Sequence, residues 1–235
     1  FLERVKRFID EDRFTIRLYA MTEPGPSFDA YCNNHLIDYG DRLTVRSVKM
    51  YLDGALGSRG AALLEDYTDD PGNRGRLRTS PEEYRVLVRQ ALDCGYQVNS
   101  HAIGDAGNRL LLDTYEAAGI QPDQRHRNEH AQIVALEDIE RHAELGVIAS
   151  MQPTHATSDM YWAEDRLGPG RIPGAYAWRS ILESGGRLAL GSDFPVEQVD
   201  PPLVFYSAVT RQDPASWPSG GWYPQPAVTS ASSLP

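Results

Sequence analysis

The fold is decided by residues 80–119, which read SPEEYRVLVRQALDCGYQVNSHAIGDAGNRLLLDTYEAAG. A capping box starts at Ser80, apolar residues then recur at helical spacing, and Gly95 ends this first helix. The β-forming run 97–102 follows, and Asp105 is predicted to cap a second helix. A strand enclosed by two helices is typical of βαβ units, so this segment predicts an α/β protein with a parallel sheet.

The same alternation extends over the rest of the chain. We predict six strands, at residues 15–21, 44–52, 97–102, 126–132, 147–152 and 187–192. Further helices are expected at residues 135–145, at residues 176–183 and after Pro202. An open doubly wound sheet and a (β/α)8 barrel both fit this order. A full barrel needs about 250 residues and eight units, so a barrel here would have its first two strands upstream of Phe1.

Composition excludes several classes of protein. The chain has 23 Lys and Arg against 33 Asp and Glu, a formal net charge of −10, which disfavours both a nucleic-acid groove and an anionic membrane surface. No apolar run reaches the ~20 residues that span a bilayer. With only Cys32 and Cys94, the chain is not a disulfide scaffold. We therefore expect a reducing compartment and a cytoplasmic location.

Ionisable residues stand at the ends of the predicted strands. They are Lys49, His101, His130 and Asp193. If these strand ends converge, imidazole nitrogens and carboxylate oxygens would form a ligand set suited to Zn²⁺ or a similar metal. Each residue also has a structural interpretation: the histidines as hydrogen-bonded core residues, Lys49 as the ion-pair partner of Asp53 or another carboxylate, and Asp193 as part of an Asx turn.

Four motifs carry a resemblance to a known family. They are KMYLDGALGSR at 49–59, HAIGD at 101–105, RHRNEHAQ at 125–132 and GSDFPV at 191–196. Together and in this order they resemble the amidohydrolase superfamily, and more narrowly its family 3, which includes N-substituted formamide deformylases. The resemblance implies a TIM-type (β/α)8 barrel, of which we expect about six units in one domain over residues 1–223. Residues 224–235 are expected to form an irregular tail.

The resemblance also implies a metal centre and a reaction. Lys49 resembles the strand lysine that CO₂ converts to a metal-bridging carbamate, and His101 and His130 resemble the histidine ligands. Asp193 resembles the aspartate that binds metal and takes a proton from the attacking water. The implied cofactor is one or two divalent metal ions, most simply zinc. The implied reaction is hydrolysis of a non-peptide C–N bond in an amide, a formamide or a cyclic amide.

Four further residues are predicted to contact substrate. Asp53 and Arg59 lie in the loop after Lys49, and Gln152 and His155 follow a predicted strand. The alternative for His155 is a loop histidine that meets water. The expected partner is a small amide-type molecule, with no nucleic acid and no membrane. Self-association into a homo-oligomer is also expected, because an open barrel edge would expose unpaired strand groups.

The sequence departs from the family pattern in two respects. It contains no His-x-His pair, which completes the family's metal centre, and it lacks the family's small β-sandwich domain. We therefore expect a piece of a longer hydrolase, with an incomplete site and without activity on its own. The alternative is a non-catalytic barrel remnant that binds a ligand or a partner. A phosphate-binding domain has little support, because no G-x-G-x-x-G or G-x-x-x-x-G-K motif occurs.

Overall fold

The computed structural model describes residues 1–224. These residues form two compact units. The first comprises Phe1–Met50 and Glu82–Asn99, and the second comprises Tyr51–Pro81 and the described residues from Ser100 onward. The single domain expected over 1–223 stays a prediction. The tail expected at 224–235 lies outside the described residues except for Pro224.

The first unit is built on a small mixed sheet. Its elements are α1 Leu2–Asp10, β1 Leu18–Thr22, α2 Pro26–Tyr31, β2 Leu36–Tyr39, β3 Leu43–Tyr51, α3 Pro81–Asp93 and the first half of β4 Gln97–Ala102. Strand β3 pairs in parallel with β1 and antiparallel with β2. Alternate residues of β3, including Leu43 and Val45, are buried with Val5 and Ala20. This alternation follows from the two-residue period of a strand.

The two cysteines are joined in this unit. Cys32 follows α2 and Cys94 follows α3, and they form a disulfide with a Cα–Cα distance of 5.2 Å. The half-cystines are 62 residues apart in sequence. The cysteine count did not predict this pairing, because only the fold brings the two positions together.

The second unit alternates short strands with helices. After the end of β4 come α4 Asp105–Ala118, β5 Arg127–His130, α5 Ile139–Glu144, β6 Ile148–Met151, α6 Pro153–Asp159, α7 Ala163–Leu167, α8 Trp178–Glu183, β7 Arg187–Leu190 and α9 Pro201–Thr210. Strands β4, β5, β6 and β7 are neighbours in this order. The pairs β5–β6 and β6–β7 are parallel. Each strand is followed by a helix, as parallel pairing requires.

Burial of large side chains holds the second unit together. Trp178 and Tyr176 are almost completely buried in one cluster with apolar residues of β6, α6 and α8. Burying a large apolar side chain contributes about 1.5–3 kcal/mol. Helix α4 ends at Gly119, whose φ of 67° is the left-handed conformation that glycine adopts without strain. Within residues 1–224, no helix is long and apolar enough to cross a membrane.

Most of the predicted elements are confirmed. All six predicted strands occur, and the helix expected from Ser80 to Gly95 is α3. Helix α4 begins at Asp105, with Gly104 rather than Asp105 at its N-cap. The helix expected at 135–145 begins with a 3₁₀ turn and becomes α-helical only at Ile139. Strand β2 and helices α2, α6 and α7 were not predicted.

Candidate metal centre

The second unit gathers polar side chains at the carboxyl ends of its strands. His101 lies near the end of β4, and His130 is the last residue of β5. Gln152 directly follows β6, and Asp193 lies three residues after β7. Carboxyl ends of parallel strands meet at one edge of a sheet, which is where α/β barrels carry their active sites. Helix α6 starts at this edge and adds His155.

Three of these side chains form a cluster that could hold a metal ion. His130, His155 and Asp193 each offer one ligand atom, and the three atoms lie within 4.8 Å of one another. The Nε2 atom of His155 is 4.0 Å from Oδ2 of Asp193. The ring of His101 is adjacent, with its centroid 4.5 Å from that of His130. The ring of His155 stacks on that of His130, with the ring centroids 5.8 Å apart.

The three cluster residues differ in burial, and burial shifts the pKa of His155. His130 is buried, whereas the side chain of Asp193 is 40% exposed and faces solvent in part. Burial lowers the pKa of His155, and the nearby carboxylates of Asp193 and Glu197 oppose this shift. The Nε2 atom of His155 is buried, and among the described residues it has no hydrogen-bond partner. A neutral imidazole with a buried, unsatisfied nitrogen is suited to bind a cation.

Two cluster residues have an unusual backbone. The φ angles of His130 and Asp193 are 79° and 55°, in the left-handed region that residues with a Cβ rarely adopt. Such residues cost about 1–3 kcal/mol each and concentrate at functional sites. The positive φ of these two residues is compatible with a functional site.

Gln152 contacts the cluster from within the core. Its Oε1 atom is 2.8 Å from Nδ1 of His130, and its Nε2 atom donates to the carbonyl of Ser150 at 3.1 Å. Both His130 and Gln152 are buried. Contact of Gln152 with substrate stays a prediction.

Asp53 has a structural environment. Its carboxylate is fully buried and accepts hydrogen bonds from the backbone N–H groups of Ala62, Ile103 and Gly104 at 2.9, 3.0 and 2.8 Å. The Nε2 atom of His101 lies 3.4 Å from Oδ1 of the same carboxylate. Asp53 therefore joins the loop after β3 to the loop after β4 and supports His101. Its contact with substrate stays a prediction.

Arg59 and Lys49 are the remaining predicted site residues. Arg59 binds both carboxylate oxygens of Asp69, at 3.1 and 2.8 Å, and Asp69 also pairs with Arg166. Lys49 is half-buried on β3, in the first unit. The roles of Arg59 in substrate binding and of Lys49 as a carbamate ligand stay predictions.

The place of His155 among the candidate ligands was not predicted. The sequence suggested only a residue that contacts substrate or water, because α6 was not recognised as a helix. Pro153 was the available signal, since proline is favoured in the first turn of a helix. A helix that starts at Pro153, directly after β6, includes His155 in its first turn and so places it near the carboxyl end of the strand.

Comparisons with known proteins agree with this architecture. Residues 2–224 match the model of the Amidohydrolase family. The chain is 39% identical over 166 residues to YtcJ of Bacillus subtilis, a match that covers 71% of this chain and 31% of that protein. It is 30% identical over 162 residues to an N-substituted formamide deformylase of Arthrobacter pascens, a match that covers 66% of this chain and 29% of that protein. The chain thus spans about a third of the length of these relatives.

A solved structure shows the same fold. The crystal structure of an uncharacterized metal-dependent hydrolase from Pyrococcus horikoshii superimposes with a TM-score of 0.82 at 32% identity, covering 89% of this chain and 42% of that one. The parallel α/β sheet of the chain is therefore part of the barrel-like fold of metal-dependent hydrolases. With the family match over residues 2–224, this chain belongs to the amidohydrolase family.

Proposed function

We propose that the chain carries metal-binding residues of a hydrolase that cleaves a non-peptide C–N bond, in an amide, a formamide or a cyclic amide, with a metal-activated water. The observation that carries this proposal is the cluster of His130, His155 and Asp193, with its ligand atoms within 4.8 Å. The substrate would be a small molecule. The similarity to an N-substituted formamide deformylase supports the choice of bond, at 30% identity.

The residues present fit a divalent metal. Two imidazoles and one carboxylate form a set of nitrogen and oxygen donors that zinc accepts, and the buried Nε2 atom of His155 lacks another partner among the described residues. Zinc is our first choice of metal, with one or two ions. When bound, a divalent metal lowers the pKa of water toward neutrality and polarises the scissile carbonyl. His101 is proposed as a further ligand, since its ring adjoins that of His130.

Asp193 is proposed to move the proton. Its carboxylate is partly exposed, so it can meet both an attacking water and a substrate, and it lies 4.0 Å from Nε2 of His155. In hydrolysis a water oxygen bonds to the carbonyl carbon, the C–N bond breaks, and the leaving nitrogen needs a proton. Asp193 would accept the proton of the water and deliver it to that nitrogen.

Lys49 is proposed as a carbamate ligand. The argument rests on the motif 49–59 and on the half-buried position of Lys49 in a strand with buried neighbours. An apolar environment favours the neutral amine that reacts with CO₂. We expect Lys49→Ala to bind less metal than the natural chain, and added bicarbonate to raise metal binding only when Lys49 is present.

We also propose a cytoplasmic location. The low cysteine count supports it, whereas the disulfide between Cys32 and Cys94 weighs against a reducing compartment.

The proposed reaction is tested by amine release. Because the chain is expected to need the rest of the longer protein for activity, the zinc-loaded longer protein that contains it is incubated with an N-substituted formamide, a larger amide, a cyclic amide, a dipeptide and an ester. We expect amine from a non-peptide amide, with at least a 100-fold loss in Asp193→Asn. The matched control is Asp165→Asn, an exposed aspartate of α7 that should keep full activity. Hydrolysis that Asp193→Asn leaves unchanged would contradict the mechanism. Zinc binding without any hydrolysis would favour the alternative, a binding module.

A further inference from the structure

Gln152 has only one way to orient its side-chain amide. Its two polar atoms face different partners: one lies 2.8 Å from Nδ1 of His130, and the other lies 3.1 Å from the carbonyl oxygen of Ser150. A carbonyl oxygen can only accept a hydrogen bond. The atom that faces Ser150 must therefore be the amide nitrogen, and the atom that faces His130 must be the amide oxygen. Exchanging them would bring two oxygens together in the core.

This orientation fixes the tautomer of His130. An amide oxygen can only accept, so the Nδ1 atom of His130 must carry a hydrogen and donate it to Gln152. In a neutral imidazole with hydrogen on Nδ1, the lone pair is on Nε2. Metal binding needs that lone pair, and histidine ligands usually donate their other N–H to an acceptor of this kind. Both residues are buried, so water does not compete strongly for the bond.

We propose that Gln152 is a positioning residue, which holds the ring of His130 in place and sets Nε2 as the nitrogen that His130 offers to the metal. This inference rests on the proposed function, since it assigns His130 to the metal site. It gives Gln152 a role other than contact with substrate. Ser150 is the anchor in this arrangement: its backbone carbonyl fixes the amide of Gln152, and the amide fixes the imidazole.

The tautomer can be read without metal. The chain is labelled with ¹⁵N histidine and treated with a chelator, and two-bond ¹H–¹⁵N spectra at pH 7.5 show which ring nitrogen is protonated. His130→Gln identifies the signals of His130. We expect hydrogen on Nδ1 in the natural chain. Hydrogen on Nε2 in the natural chain would overturn the inference.

Two substitutions of Gln152 separate positioning from packing. Gln152→Glu keeps an oxygen that accepts from Nδ1 but places its second oxygen against the carbonyl of Ser150, so the anchor is lost while His130 should keep hydrogen on Nδ1. Gln152→Met fills a similar volume without an acceptor, so the Nδ1–H form should no longer predominate. The matched control is Gln132→Met, because Gln132 is a buried glutamine whose amide contacts Tyr176 and Asp159 instead. An unchanged tautomer in Gln152→Met would overturn the inference.

Zinc affinity provides the second measurement. In competition with a chromophoric chelator, Gln152→Met should bind zinc roughly 10- to 100-fold more weakly than the natural chain, and Gln152→Glu should lose less. Equal affinity of Gln152→Met and the natural chain would contradict the inference. If the natural chain shows hydrogen on Nδ1 but binds no zinc, the proposed function fails while the assignment of the tautomer stands. The two failures are therefore distinguishable.

Discussion

Replacing Asp53 by asparagine separates a structural role from contact with substrate. The carboxylate accepts three backbone hydrogen bonds of 2.8–3.0 Å in a fully buried position. Its Oδ2 atom receives the N–H groups of Ala62 and Gly104, and its Oδ1 atom receives that of Ile103. Asparagine retains one oxygen only. Even in its better orientation, its NH₂ group must face at least one backbone N–H.

The expected loss follows from these contacts. A hydrogen bond to a charged group contributes about 1.5–3 kcal/mol, and a buried donor left without an acceptor costs about 1–3 kcal/mol. We therefore expect Asp53→Asn to lower the free energy of unfolding by roughly 2–4 kcal/mol. This is a large part of the ~5–15 kcal/mol that stabilises a typical protein. In a chain of this size it would lower Tm by roughly 4–16 °C.

The assay is thermal and urea denaturation followed by circular dichroism. Asp165→Asn, at an exposed position of α7, is the matched control, with an expected change within about 0.5 kcal/mol. Zinc affinity of folded Asp53→Asn at low temperature is measured alongside. If Asp53→Asn unfolds at the same temperature and urea concentration as the natural chain, the structural role argued for Asp53 is refuted.

Three other predictions concern the pH dependence of stability, self-association and the disulfide. Burial lowers the pKa of His142 from 6.5 to about 4, so stability should fall as pH drops from 6.5 toward 4, by about 2 kcal/mol at pH 5. In urea titrations, the loss of unfolding free energy between pH 6.5 and pH 5 should be about 2 kcal/mol smaller in His142→Gln than in the natural chain. An equal loss in the two chains would contradict this prediction. Phe194 and Val196 are 65% and 70% exposed, and we expect these apolar side chains to promote self-association. Light scattering should therefore show a smaller particle for the double variant Phe194→Ser, Val196→Ser than for the natural chain. An unchanged particle size would contradict this prediction. Thiol titration of the unfolded chain should find no free thiol before reduction and two afterwards, since Cys32 and Cys94 are bonded; two thiols before reduction would contradict the pairing.

The regular elements could be predicted where the sequence repeats its signals. Helix α3 combines a capping box, apolar residues at helical spacing and a terminal glycine, so its limits are correct within two residues. Strand β2 has four residues and no buried face, so no alternation marks it. Helix α6 has seven residues, with two threonines, a serine and an aspartate, which are weak helix formers. Its packing in the second unit therefore decides its conformation.

The candidate site could be predicted only in part. Residues at strand ends, such as His130 and Asp193, can be found because a parallel sheet collects them at one edge. The contact of His155 with Asp193 depends on where α6 turns, which no local pattern specifies. The role of Gln152 depends on a carbonyl two residues earlier and on a ring 22 residues away. Such contacts come from tertiary packing, which leaves no signal in one sequence.

The most direct test of the central claim is the metal content of the purified chain after dialysis against zinc. Elemental analysis would compare the natural chain with His130→Ala and His155→Ala. His35→Ala serves as the control, since it removes a histidine of the first unit that contacts the carbonyl of Cys94. We predict near-stoichiometric zinc in the natural chain and the control, and a clear loss in both cluster variants. A natural chain without zinc, or a His155→Ala variant with as much zinc as the natural chain, would contradict the account.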